Sequence, residues 1–131
     1  FYKNGLKVIP MSSKAFQRDQ NAFVYFELYN LARDSFGQSK YQIEYTVLSH
    51  TARSTPAKIL RGLGRILRVV ESDQEVKVSF EQTGDGETDI AYVELDIRES
   101  RPGGQMVKVK VTDLLTEFSA EKSIKFSVDG I

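Results

Sequence analysis

Apolar and polar residues alternate along most of the chain, in short bursts separated by turn residues. In "VKVKVT", Val107, Val109 and Val111 fall on one side of an extended backbone, and Lys108, Lys110 and Thr112 on the other. After a short break, Ile124, Phe126 and Val128 alternate with Ser123, Lys125 and Ser127. "YQIEYTV" sets Tyr41, Ile43, Tyr45 and Val47 against Gln42, Glu44 and Thr46. "EVKVSF" contributes Val76, Val78 and Phe80, and "DIAYVELDI" contributes Ala91, Val93, Leu95 and Ile97, with Tyr92, Glu94 and Asp96 facing outward. A period of two with one dry and one wet face is the pattern of antiparallel sheets. "LKVIP" reads as a short strand stopped by Pro10, which has no amide proton for a central ladder.

"AFVYFELYN" differs because both of its faces are apolar. Ala22, Val24, Phe26 and Leu28 form one face; Phe23, Tyr25 and Tyr29, with Glu27 among them, form the other. Folded chains seldom leave a large apolar patch open. The outward aromatics are therefore expected to lie under the N-terminal segment, under Phe16, or under residues 56–70. The functional alternative is an open strip for sugar or peptide.

Turn chemistry separates the runs. Asn30 and Gly37 punctuate "NLARDSFGQS", "TGDGE" reads as a hairpin turn, and Pro102 with two following glycines marks "SRPGGQ". The count is about seven strands at the spacing of a β-sandwich. The prediction is an all-β, immunoglobulin- or fibronectin-III-like sandwich of antiparallel strands with one irregular or helical excursion.

That excursion is residues 56–70, "PAKILRGLGRILRVV". Ile59, Leu63, Ile66, Leu67 and Val70 recur at helical spacing, and Arg61, Arg65 and Arg68 recur on another face. Gly62 and Gly64 weaken a helix by roughly 1 kcal/mol each relative to alanine. From Arg53 to Val70, both included, stand five basic residues and no acidic one. As a structural element, this segment packs its apolar side on the sandwich edge and leaves its arginines in water. As a functional one, it is a basic amphipathic helix that meets an acidic partner or, as the lesser alternative, an anionic membrane surface.

Composition narrows the chemistry. The 131 residues fit one domain, expected to be a fragment of a larger protein because no starting methionine precedes Phe1. Lys plus Arg and Asp plus Glu both total 18, which removes the global electrostatic case for nucleic acid. The absence of cysteine excludes disulfides, cysteine zinc sites and thiol catalysis. One histidine, His50, offers no transition-metal cluster, and the sequence brings no serine and carboxylate to it as a catalytic triad. Asp85, Glu87 and Asp89 alternate like part of a calcium loop but lack the closing glutamate of an EF-hand, so they read as an acidic turn. "GLG" lacks the length and the lysine of a phosphate loop. The sequence thus calls for no catalytic residue, metal or cofactor.

The segments "GLKVIP", "VYFELYNL", "FGQSKYQIEYTV", "VELDI" and "VKVTDLLTEFSAEKSIKFSV" together resemble the C-terminal β-rich region of bacterial GWxTD domain-containing proteins. "YFELYNL" and "VTDLL" carry most of the likeness, which skips residues 56–70. The chain has no tryptophan, so it lacks the GWxTD motif itself, and Gln105 stands where family members tend to carry tyrosine. The resemblance implies an extracytoplasmic bacterial protein of undefined biochemical role. Two functional readings follow. The first is a non-catalytic binding or assembly module whose partners are other domains of the parent chain or another protein. The second is an accessory domain of an enzyme, with a polar site in the loops near His50 and the "GDGETD" turn. The candidate binding residues are Arg61, Arg65, Arg68, Phe23, Tyr25 and Tyr29.

Overall fold

The structure, a computed structural model, describes residues 6–10, 15–17, 21–49, 56–72, 75–96 and 103–129, with backbone alone for 15–17, 103, 128 and 129. His50, Arg53, Ile97 and Pro102 lie outside the described residues.

Ten strands are described: β1 (Lys7–Pro10), β2 (Ala15–Gln17), β3 (Ala22–Tyr29), β4 (Ser39–Ser49), β5 (Lys58–Gly62), β6 (Arg65–Glu71), β7 (Glu75–Gly84), β8 (Asp89–Asp96), β9 (Gly103–Asp113) and β10 (Ser119–Asp129). They form a β-sandwich. One sheet has the order β1-β3-β8-β5 and the other β2-β10-β9-β4-β7-β6. Neighbouring strands are antiparallel except β2 and β10, which run parallel. Pro10 ends an edge strand, a position where sheets tolerate a residue without an amide proton.

The inward parity is the one the alternation predicts. Val109, Phe126, Phe26 and Ile43 are all buried, as are Tyr41, Tyr45, Val47, Val78, Phe80, Val93 and Leu95. Each such side chain contributes about 1.5–3 kcal/mol by leaving water. The rings of Phe26 and Tyr45 meet across the sandwich at 5.9 Å, and Phe80 stands edge-on to Tyr45 at 5.7 Å. Buried tyrosines need a partner for their hydroxyls. Tyr41 donates to Asp89 Oδ2 at 2.5 Å and Tyr45 to the Tyr92 carbonyl at 3.2 Å, so two tyrosines of the six-stranded sheet are tied to β8 of the other.

The "VTDLL" segment also has a structural role. Asp113 ends β9 and is buried. Its carboxylate accepts from the Leu115 amide at 2.9 Å and from the Ala32 amide at 2.7 Å, pinning the β9–β10 turn to the β3–β4 loop. Gln105, fully buried on β9, accepts from the Ala57 amide at 2.9 Å through Oε1 and so fastens the approach to β5.

Residues 56–70 form no helix; they supply β5 and most of β6, in different sheets. The chain changes sheet at Gly62-Leu63-Gly64, a sharp bend of the kind that makes sandwich corners. The Leu63 amide bonds the Tyr92 carbonyl at 3.1 Å, and Gly64 takes a φ of +105° that favours glycine. The helical spacing has a simple origin. A register shift sets Leu60 aside in β5 and another sets Leu67 aside in β6. Each extra residue resets the phase of a two-residue alternation, and with the corner between them the result imitates a period near 3.6.

Candidate functional site

The outer face of the four-stranded sheet is one of the apolar surfaces the fold leaves open. Strand pairing sets its rows. Lys7 lies beside Tyr29, and Ile9, Glu27 and Ile90 form the next row. Tyr25 and Tyr92 follow, and then Phe23, Glu94 and Arg61. Phe23 and Tyr25 are 40% and 42% exposed, so no cover over this strip comes from the described residues; of the expected covers, residues 1–5 and the Phe16 side chain lie outside them. Residues 56–70 do not supply it because β5 continues the same sheet beside β8 instead of crossing its face. Phe23 stacks on Tyr25 with centroids 6.4 Å apart, and Tyr25 lies 6.4 Å from Tyr92. Ile9 and Ile90 extend the exposed apolar surface on either side of Glu27. The Tyr29 hydroxyl donates to Glu27 Oε2 at 2.7 Å, and a shallow open hollow of about 410 Å³ runs from Glu27 and Tyr29 to Thr88 and Ile90.

Beside the rings sits a buried acid. Glu94 faces outward by parity but is only 4% exposed. Arg61 Nε donates to its Oε1, and Asn21 Nδ2 donates to Oε2 at 2.8 Å. The Arg61 hydrogen bond holds the Glu94 carboxyl below the usual carboxylate range, against the opposing effect of burial and with help from Asn21. A carboxyl lowered in the folded state contributes fully above its ordinary pKa and loses that contribution as pH falls through the folded value. Glu94→Gln should therefore be less stable than wild type at neutral pH, with the gap closing as pH drops below about 4.3. Urea midpoints of both proteins at neutral and acidic pH check this; a gap that stays constant with pH refutes it.

The three arginines do not form one cationic patch. Arg61 lies opposite Glu94 on the four-stranded sheet, whereas Arg65 lies opposite Glu81 on the six-stranded sheet and bonds it at 3.1 Å. Arg68, also on β6, has no ion-pair partner among the described residues. Asp89 is engaged by the Tyr41 hydroxyl and the Ile90 amide, apart from any role with Asp85 and Glu87. Among the described residues, no three His, Cys, Asp or Glu side chains group as metal ligands, and no helix is long and apolar enough to cross a membrane.

Sequence reasoning found Phe23, Tyr25 and Tyr29 but not their neighbours Tyr92, Ile90 and Ile9. The outward parity of Tyr92 was legible; that β8 lies beside β3 was not.

No family model matches the chain, and no curated protein matches it. Among solved structures it is similar to a protein from the study of fibronectin binding and biofilm formation by enteroaggregative Escherichia coli AAF fimbriae, at 14% identity, 95% of this chain, 100% of that chain and a TM-score of 0.60. It is also similar to the seventh ScaB type I cohesin of Pseudobacteroides cellulosolvens, at 10% identity, 96% and 93% coverage and a TM-score of 0.51. A third likeness is to a family 123 glycoside hydrolase of Clostridium perfringens, at 11% identity and a TM-score of 0.57, over 96% of this chain but only 27% of the enzyme. What these share with the chain is the fold. It is the immunoglobulin-like β-sandwich that the alternation predicts.

Proposed function

We propose that this chain is a non-catalytic binding or assembly module of a larger, exported bacterial protein, and that it docks on a protein surface through the outer face of its four-stranded sheet. The observation that carries this reading is the open row of Phe23, Tyr25 and Tyr92 with Ile9 and Ile90 beside it. Aromatic residues are enriched at protein interfaces because they bury large area at little entropic cost and keep a polar tip. The fold shared with a fimbrial protein and a cohesin supports a module that holds partners, and the resemblance to GWxTD domain-containing proteins supports export. A second reading, an accessory domain of an enzyme, draws support from the fold shared with a segment of the glycoside hydrolase; a catalytic domain elsewhere in the parent chain would favour it.

The test places a photo-crosslinking residue at Tyr25 and, as a control, at Glu44 on the outer face of the other sheet. The expected result is a protein adduct from position 25 that a Phe23→Ser/Tyr92→Ser background abolishes. Equal adducts from both positions, or adducts that survive that background, would sink the proposal.

A further inference from the structure

We infer that β6 is a pairing edge through which two copies of this chain associate, antiparallel, about a two-fold axis. β6 is the last strand of the six-stranded sheet and, among the described strands, is hydrogen-bonded to β7 alone. All seven of its residues are exposed. Ile66, Leu67, Val69 and Val70 are each between 41% and 54% exposed, so most of the strand's side chains are apolar and wet.

Protein edges are normally blunted by shortness, proline, charge or a covering element. The other described edges follow that rule. β1 is four residues long and ends in Pro10, β2 is three residues long, and β5 is five residues long with Lys58, Arg61 and Gly62. β6 is seven residues long with a single central charge, Arg68, and one bulge beside it. Such an edge presents free backbone donors and acceptors together with apolar side chains, which is what strand addition uses.

The order of charges along β6 selects a second copy as the occupant. Arg65 begins the strand and Glu71 ends it, with the four apolar residues between them. Antiparallel self-pairing brings the Arg65 end of each copy to the Glu71 end of the other, and apolar residues against apolar residues. Parallel pairing would bring like charges together at both ends. A two-fold axis makes the contact self-complementary and closed. Two short strands bury little area, so the association is of the weak, reversible class. Arg68 lies at the centre and meets its own copy, a repulsion that weakens the pair further. This sets a signature. Removing Arg68 strengthens a self-pair, whereas it weakens the docking of an acidic peptide strand.

The experiment is sedimentation velocity across a concentration series, with amide hydrogen exchange read at β6. Wild type is expected to dimerise as concentration rises, with β6 amides gaining protection. Val69→Lys, a change at an exposed side chain, should weaken the dimer by about tenfold or more, following the use of edge lysine against strand pairing. Arg68→Val should tighten it several-fold. Ile90→Lys on the other sheet should leave it unchanged, and circular dichroism of each variant confirms the fold. A wild type that stays monomeric at about 1 mM, where even a contact of about 4 kcal/mol would register, overturns the inference. So does a dimer indifferent to Val69→Lys, and so does one that Arg68→Val weakens.

Discussion

Phe26→Ala is expected to lower the free energy of unfolding by about 3–5 kcal/mol, the range for removing a buried phenylalanine. Phe26 has no measurable exposure, and its ring closes the gap between the sheets against Tyr45, which in turn packs on Phe80. Truncation removes the end of that column that lies on the four-stranded sheet. Neither Tyr45 nor Phe80 can collapse into the space without leaving strands whose registers are fixed on both sides. A domain of this size has about 5–15 kcal/mol in hand, so one substitution consumes a large share. Tyr25→Ala, one residue back on the same strand and facing outward, should cost far less. Urea denaturation checks both: the midpoint should fall sharply for Phe26→Ala and little for Tyr25→Ala, at unchanged slope. A loss below about 1 kcal/mol at Phe26 would place the centre of the core elsewhere.

Gly64→Ala is the second large effect expected, about 2–4 kcal/mol from backbone strain and overpacking together. Gly64 sits at the corner where the chain leaves one sheet for the other, at a φ of +105° that side chains rarely adopt. A Cβ built there would stand 2.6 Å from the Glu81 carbonyl oxygen, a backbone atom held in the β6–β7 pairing. Strain and collision therefore act together, and neither is relieved by moving a flexible side chain. Gly86→Ala is the control, because nothing lies within 4 Å of its added methyl group. That variant should be neutral within about 0.5 kcal/mol. Thermal and urea melts of the pair give the answer, and equal effects at the two glycines would dismiss the corner as a constraint.

The fold was readable because a sandwich strand carries its own instructions. Val107, Val109 and Val111 are buried while Lys108 and Lys110 between them reach water, and Ile43 and Tyr45 on β4 follow the same rule. The alternation needs no partner strand to be recognised. Residues 56–70 misled for a specific reason. Two bulges and a glycine corner broke the two-residue phase, and nothing local separates a reset alternation from a helical one. The arginines followed the same error. On a helix Arg61, Arg65 and Arg68 would share a face; on two bulged strands of different sheets they do not.

By itself the sequence determined that this chain is all-β, which side chains build its core, and that Phe23, Tyr25 and Tyr29 point away from that core. These are properties of one strand at a time, fixed by the pleat. Only the tertiary structure decided which strands are neighbours. It put Tyr92 and Ile90 beside the β3 aromatics and delivered Arg61 to Glu94 from 33 residues away. It also left β6 at an edge with four apolar side chains in water. Strand adjacency is set by the packing of two whole sheets and by where the chain switches between them, and no window of a few residues contains that information.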